Sequence, residues 1–520
     1  MSASVDTVVV PVDPVTEAAT RAPGRAWTLA IVSIATFMLM LDLTVVNVAL
    51  PDLRNALNAD FSGLQWVLDA YALTLAAFLL TGGSLADRLG RKRVFITGFA
   101  VFTAASLLCG ASTDVLALNL ARGLQGVGAA VLFAVGPALL GQEFRGKDRA
   151  MAFGVFGGVS GLAIAFGPLI GGALTSGIGW RWIFLVNVPI GVVAIVLSAL
   201  RIRESREPGT HGVDWVGLVL FSVALGALVL GFLRGEAEGW TSPLILGLFA
   251  ASALLLAVFV LVERRLGGAG MLDLSLFRNR TFNGISAATL LGNAAGMASI
   301  FLEVSYVQNV LGATPWQAGL RFLPLTLVLF VVAAVTGSLT VAVPPRLLVG
   351  TAMALMAGGL LAIRLIDVHS GWTAMLPSML LTGAGMGMFN PPRASVSIGV
   401  AEPARAGMAA GMGETFQQVG IAIGIAGFGA LFQHRVGDAV AAAVPGLPPG
   451  ARQAVAAGAG EQVAQGAGAL RATVAEAARA AFVHGLSDVL TICAAVAALA
   501  SAIAFTTLRR SDLHESAVAH

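Results

Sequence analysis

Residues 41–51 read LDLTVVNVALP, toward the end of the first long apolar run of the chain. Asp42 puts a carboxyl group among residues that a bilayer accepts. Burying an unpaired carboxylate costs several kcal/mol unless it stays protonated or gains a partner. Two readings follow: Asp42 is a proton carrier, or it lies just inside the interface and caps or pairs locally. Asn47 follows five residues on and Pro51 is a helix breaker. That makes this the polar, kinkable part of a spanning helix, which favours the first reading.

Composition sets the class. Apolar residues fill 57% of the 520 positions and charged residues only 11%, with 63 glycines, and the mean hydropathy is +0.86. A soluble core of that apolarity is excluded, and an all-α polytopic membrane protein is expected. The net charge of +3 carries no argument for nucleic acid, because the basic residues sit in short clusters between apolar runs. Cys109 and Cys493 both fall in apolar runs, so no disulfide framework is implied. The first apolar run begins near Trp27, is too long for a signal-peptide core and has no cleavage site after it. Residues 1–25 read as a flexible cytoplasmic tail.

Apolar runs long enough to cross a bilayer as helices recur at 26–50, 63–84, 94–112, 114–141, 151–176, 182–200, 214–233, 243–262, 282–310, 318–342, 346–366, 372–391, 406–433 and 482–508. These fourteen spans place both termini on one side. Clusters such as Arg88/Arg91/Lys92/Arg93, Arg145/Lys147/Arg149, Arg264/Arg265/Arg278/Arg280 and Arg393/Arg405 fall on that side, and the short loops opposite hold few cations. The positive-inside rule then makes both termini cytoplasmic in a plasma-membrane protein.

A faint internal repeat organises the spans. Gly83-Ser84-Leu85 closes the second and Gly337-Ser338-Leu339 the tenth; Gly123, Gly126 and Gly128 in the fourth answer Gly383, Gly385 and Gly387 in the twelfth. The expected domains are therefore a six-helix bundle over 26–203, an inserted helix pair over 204–266 and a second bundle from 267–433 and 482–508, with a tail at 509–520. Residues 434–481 form the one long outer connection, Ala- and Gly-rich, with a helical-looking stretch from Gln453 to Ala480. It folds over the outer face as a tolerated insertion, a lid or a partner site.

Three stretches carry polar chemistry. GGSLADRLGRKRV, residues 82–94, crowds Asp87, Arg88, Arg91, Lys92 and Arg93 beside Gly82, Gly83 and Gly90. Asp87 can face a neighbouring helix N-terminus and the cations a helix C-terminus or lipid phosphates, which makes a conformational latch; the plainer reading is topogenic charge. NLARGLQGVGAA sets Arg122 inside an apolar run with Gln125 on the next turn. An arginine there needs an acceptor, so it poises a nearby carboxylate, snorkels, or makes a fixed structural bond. GGVSGLAIAFGPLIGG, residues 157–172, offers a smooth glycine face for helix packing, and Pro168 bends it.

These stretches, with WRWIFLVNVPIG from Trp180, YVQNVLGATPWQAGLRFLP from Tyr306 and GAGMGMFNPP from Gly383, resemble the signatures of the major facilitator superfamily, specifically its fourteen-helix drug:proton antiporter branch. The resemblance covers nearly the whole chain. It implies a major facilitator fold of two six-helix bundles plus two inserted helices, and export of amphipathic or cationic compounds against inward proton flow by alternating access. Carried over by motif, Asp42 is a coupling acid, Arg122 its polar partner, Asp87 with Arg91 the cytoplasmic gate and Gly167-Pro168 the antiporter hinge. Asp69 matches an acidic position of some cation exporters in that branch, or else sits wet near the outer end of its helix. Glu414 and Gln417 depart from the branch pattern, and Glu303 matches no shared motif. Each of these acids is an extra protonation site or a side chain satisfied in packing.

Asn47, Trp66, Gln125, Tyr306, Asn390 and Gln417 are the candidates for substrate contact, and among the aromatics Trp66, Phe301, Tyr306, Phe322, Phe389 and Phe416, two or three are expected to touch it. GQEFRGKD, residues 141–148, is no phosphate loop, because Asp148 replaces the hydroxyl residue and no strand precedes it. No metal site, cofactor or nucleophile–base pair is expected, so the chain is not an enzyme. The expected partners are a small amphipathic substrate, protons and the lipid bilayer, with the protein a monomer. The alternative is a dedicated exporter or exchanger of one endogenous metabolite.

Overall fold

The computed structural model describes residues 14–59, 61–144, 146–205, 214–267, 270–340, 342–402, 405–456 and 458–513. No strand occurs among them. The first half is built from α1 (Pro14–Leu57), α2 (Phe61–Leu89), α3 (Arg91–Ala111), α4 (Val115–Glu143), α5 (Gly146–Ile178), the single turn α6 (Trp182–Leu185) and α7 (Asn187–Arg201). A pair follows, α8 (Trp215–Glu238) and α9 (Pro243–Leu266). The second half comprises α10 (Arg280–Asn309), α11 (Pro315–Leu339), α12 (Pro345–Ala362), α13 (Leu376–Gly399), α14 (Ala406–Ala443), the short α15 (Pro449–Ala456) and α16 (Gly460–Gly466), and α17 (Arg471–Thr507).

Twelve segments among the described residues are long and apolar enough to cross a membrane. The helices α5 and α13, with 33 and 24 residues, are the two others of that length and fall outside this test. α13 carries Asn390, Arg393, three prolines and four glycines, which lower its hydropathy.

Several helices run past their expected ends. α1 begins at Pro14, within the stretch read as a flexible tail, and continues through position 51 to Leu57. α13 contains Pro391 and Pro392 yet extends to Gly399. A proline frees one carbonyl and bends the helix, but neighbouring helices hold the chain in helical form. The stretch 434–481 is mostly helical: α14 runs on to Ala443, α17 starts at Arg471, and α15 and α16 occupy the turn between them.

Glycines set the helix spacing. A Cβ on Gly126 of α4 would strike the Tyr71 carbonyl and the Thr74 hydroxyl of α2, and one on Gly128 would lie 2.6 Å from the Phe102 nitrogen of α3. α2 and α3 are joined by Gly90 alone, whose φ of 109° is a left-handed conformation that favours glycine. The pair α8–α9 lies at the edge: α8 packs on α2, where Thr81 and Ser222 hydroxyls meet at 2.9 Å, and α9 packs on α8 with only 17% of its span buried.

The two halves meet through small residues. Gly158 and Gly161 of α5 face Phe330 and Leu329 of α11, and Gly154 faces the Ala333 carbonyl. A Cβ on Gly83 of α2 would strike the Gly407 carbonyl of α14, and Gly411 of α14 approaches Leu79 and Leu80. These contacts all lie toward the end of the molecule that carries the Arg88–Arg93 turn. Toward the other end of α5, a Cβ at Gly172 or Gly177 would meet nothing within 4 Å.

Replacing Gly83 by leucine should therefore prise that end apart. Overpacking of about 1–3 kcal/mol predicts that a cysteine placed at the fully buried Ala86 is alkylated by a maleimide about tenfold faster in the Gly83→Leu background. An unchanged alkylation rate would show that the α2–α14 approach does not hold the halves together.

Candidate functional site

Asp42 and Arg122 lie in the centre of the first half, each 1% exposed. Packing of α4 on α2 through Gly126 brings Arg122 under α2, where its Nε donates to the Val67 carbonyl at 3.0 Å and its guanidinium stacks 4.2 Å from the Tyr71 ring. The same guanidinium reaches α1: Arg122 Nη1 stands 2.5 Å from Asp42 Oδ2 and 2.7 Å from Gln125 Oε1. Gln125 Nε2 donates to Asp42 Oδ1 at 3.0 Å and to Ser106 Oγ at 3.1 Å. From α7, Asn187 Nδ2 donates to Ser106 Oγ at 3.1 Å and to Asp42 Oδ1 at 3.4 Å. Five buried side chains from α1, α3, α4 and α7 thus close one network around one carboxylate and one guanidinium. Ser106 and Asn187 were not singled out in the sequence; a buried polar residue inside WRWIFLVNVPIG was the available signal for Asn187.

α5 connects this network to the other half. Gly167 packs so closely on Thr44 of α1 that a Cβ there would clash with its hydroxyl, and a Cβ on Gly171 would lie 3.0 Å from the Val45 carbonyl. Asp42 is therefore two residues from the α1–α5 contact, while the opposite end of α5 lies against α11. The side chains of Asn47 and Pro168 lie outside the described residues.

A second polar assembly joins the halves at the glycine-lined end. Asp87 accepts from Gly407 N at 3.0 Å and Met408 N at 2.8 Å, the free donors at the start of α14. Arg91 donates to the same carboxylate from Nη2 at 2.8 Å and Nε at 3.1 Å, and to Gln142 Oε1 at 2.9 Å. Lys92 Nζ bonds the Ala199 carbonyl at the end of α7, at 2.6 Å. Glu204 accepts from Lys92 N and Arg93 N at 3.1 and 3.2 Å, capping α3. Arg88 Nη2 donates to the Gly270 carbonyl at 2.6 Å. Gly83 and Gly90 are the close-approach and turn positions already described.

The second half has its own buried pair. Arg393 Nη2 of α13 lies 3.0 Å from Glu414 Oε1 of α14, with both side chains under 5% exposed. The sequence reading counted Arg393 as a loop charge; because α13 continues past its prolines, Arg393 is inside the bundle. Glu303 of α10 accepts from Ser378 Oγ at 3.1 Å, and its other oxygen is buried with no hydrogen-bond partner. Asp69 likewise keeps one buried oxygen without a partner, and Arg234 of α8 is the charged group that bears on it. Asp69 is 6% exposed, so it is not a wet side chain at the helix end. The same Arg234 lies 5.6 Å from the Trp66 ring.

The substrate candidates divide. Trp66, Asn390 and Gln417 are half-buried, and Gln417 Oε1 has no hydrogen-bond partner. Gln125 is 0% exposed with its polar atoms bonded inside the Asp42 network, and Tyr306 is 0% exposed with its hydroxyl on the Ser370 carbonyl at 3.2 Å. In this conformation neither faces open space. Phe322 and Phe389 are core residues of the second half, whereas Phe301 is 50% exposed. No cluster of metal-ligating side chains occurs among the described residues.

Comparison with known proteins places this geometry. Residues 32–425 match the family model described as Major Facilitator Superfamily. The chain is similar to "Puromycin resistance protein pur8" of Streptomyces alboniger, 37% identical over 421 residues, which are 79% of this chain and 83% of that one. It is similar to "Multidrug resistance protein Stp" of Mycobacterium tuberculosis, 33% identical over 405 residues, 78% of this chain and 75% of the relative. The fold matches that of the proton:xylose symporter XylE, with a TM-score of 0.61 and 14% identity over 93% of this chain and 95% of that one.

Removing one member of the Asp42–Arg122 pair strands the other in the core, which costs about 3–5 kcal/mol, whereas replacing both is close to neutral. Arg122→Met should therefore lower the thermal midpoint of the purified protein more than the double variant Asp42→Asn/Arg122→Met does. A double variant at least as unstable as the single would show that the two groups do not depend on each other.

Proposed function

The chain belongs to the Major Facilitator Superfamily, a family of multi-pass membrane transporters of small molecules rather than enzymes, and from that premise we propose that it exports amphipathic or cationic drugs from the cytoplasm in exchange for protons. The observation that carries this reading is the enclosed Asp42–Arg122 network, linked through α5 to the other half. Protonating Asp42 while Arg122 stays in place would leave a guanidinium without its counter-charge in a buried site, at a cost of several kcal/mol. Proton uptake then requires the pair to separate. The α1–α5–α11 contacts give a route by which relative movement of the halves separates it.

With both termini cytoplasmic in the plasma membrane, the end closed by Asp87, Arg91 and α14 is the inner end, and the conformation is outward-facing. Asp87 and Arg91 act as the gate that holds it, because the carboxylate serves an arginine in one half and two helix-start N–H groups in the other. Asp69, Glu303 and Glu414 are the further ionisable groups, and Asp69 beside Trp66 is the recognition site for cations. The protein works as a monomer.

A dedicated exporter of a single compound is the second reading. It is favoured by relatives whose names specify one compound, such as "Tetracenomycin C resistance and export protein" of Streptomyces glaucescens, 33% identical over 417 residues, 80% of this chain and 77% of that one. Expression in a pump-deficient host separates the two: resistance to several unrelated cationic and neutral compounds supports the broad pump, and resistance confined to one supports the dedicated exporter.

In proteoliposomes, a substrate gradient should drive proton movement in the opposite direction, and Asp42→Asn should abolish it with the protein still folded and inserted. Proton movement at the unmutated rate in that variant would remove Asp42 from coupling. Asp69→Asn should lose cationic substrates selectively while neutral ones are still exported; an unchanged preference for cations would place Asp69 outside the site.

A further inference from the structure

A cleft of about 670 Å³ opens between the last turns of α9 and the linker that leads to α10. Its walls are of two kinds. Val260, Leu274 and Phe277 supply an apolar side, with Phe277 39% exposed, and Arg264 and Arg278 supply cations. Both arginines are exposed, and neither makes an ion pair or hydrogen bond among the described residues. The acids that line the cleft are engaged: Glu263 accepts from Met271 N and Leu272 N at 3.0 and 3.2 Å, and Asp273 pairs with Arg405 at 3.1 Å, while Asp214 beside Glu263 accepts from Gly217 N at 2.8 Å. The cleft is thus open, cationic at its rim and apolar within.

Its position selects the occupant. α9 is long and apolar enough to cross a membrane with only 17% of its span buried inside the protein, and the cleft lies at the end of that uncovered face. We propose that the cleft binds one anionic phospholipid, its phosphate between Arg264 and Arg278 and the start of its acyl chains on Val260, Leu274 and Phe277. A cationic amphiphile is excluded by the two unneutralised guanidiniums, whereas a phosphodiester accepts from both.

The same linker carries the gate. Its Gly270 carbonyl receives Arg88, Asp273 holds Arg405 at the start of α14, and Asp273 N contacts the Met408 sulfur at 3.3 Å. Met408 N in turn donates to Asp87. A lipid seated in the cleft packs on Leu272 and Leu274 and steadies the linker in this arrangement, so it favours the closed gate. The lipid site requires only that the chain lies in a bilayer, its link to the gate rests on the proposed role of Asp87 and Arg91, and the test needs no transported substrate.

Purified full-length protein in neutral detergent is titrated with phosphatidylglycerol, phosphatidylcholine or inorganic phosphate, reading the thermal midpoint and the lipid retained in native mass spectra. Phosphatidylglycerol should raise the midpoint and be retained, and the other two should not. Each arginine contributes about fivefold in affinity for an anionic surface, so Arg264→Gln/Arg278→Gln should weaken phosphatidylglycerol binding about 25-fold. The single, exposed Arg278→Gln should weaken it about fivefold if the double variant does not fold, and Arg471→Gln, at the end of α17 remote from the Thr507–Thr281 contact, should leave it unchanged. Equal binding by the cleft variants, or an equal midpoint shift with inorganic phosphate or phosphatidylcholine, overturns the site. With a cysteine at Ala86, phosphatidylglycerol should slow alkylation in the otherwise unmutated protein and not in the cleft variant; no slowing overturns the link to the gate.

Discussion

Charge inside a bilayer protein has to be answered by opposite charge or by several hydrogen bonds, and that requirement governs the arrangement of this molecule. Each half encloses an acid against an arginine, Asp42 with Arg122 and Glu414 with Arg393. The end of the molecule where the halves meet is closed by a third pair, Asp87 with Arg91. Such pairs add little to stability, since the desolvation of two ions cancels most of their attraction. Their presence in otherwise apolar bundles is therefore not explained by stability alone. The first pair is the most elaborate, because Gln125, Ser106 and Asn187 supply acceptors and donors to both of its members.

Glycine provides the complementary constraint. Where the halves touch, backbone faces backbone at Gly83 with Gly407, and ring or aliphatic side chains fill the space over Gly158 and Gly161. Small residues at these contacts let the helices of the two halves approach closely. α5 belongs to both regions. Its Gly154–Gly161 segment lies on α11, and Gly167 and Gly171 lie on α1 beside the Asp42 turn. One continuous helix therefore touches both the interface between the halves and the charged network.

The inserted pair contributes more than length. α8 lies on α2 and brings Arg234 to Trp66 and Asp69, while the linker after α9 receives Arg88 and holds Arg405. The pair and its linker thus reach both the acid of α2 nearest the far end and the charged turn at the near end. α15 and α16 have no comparable reach. They pack on α14 and α17 at the opposite end of the second half.

The amino-acid sequence alone determined that this is a bundle of membrane-crossing helices and which charges inside it are exceptional. Apolar runs and the cost of exposing backbone to lipid are local properties, so helices and misplaced acids are readable residue by residue. Asp42 and Arg122 stood out because hydrocarbon-like neighbours surround them in the chain, and Asp87 because it sits among cations in a glycine-lined turn. Helix ends were less legible: α13 passes through Pro391 and Pro392, and α14 and α17 extend into the supposed outer loop, because packing against neighbours outweighs the local breaking signal. Partnerships were not legible at all. That Asn187 and Ser106 serve Asp42, that Arg393 meets Glu414 and that Arg234 covers Trp66 depends on how each helix is rotated and how closely its glycines let it approach, and only the packed bundle fixes those distances.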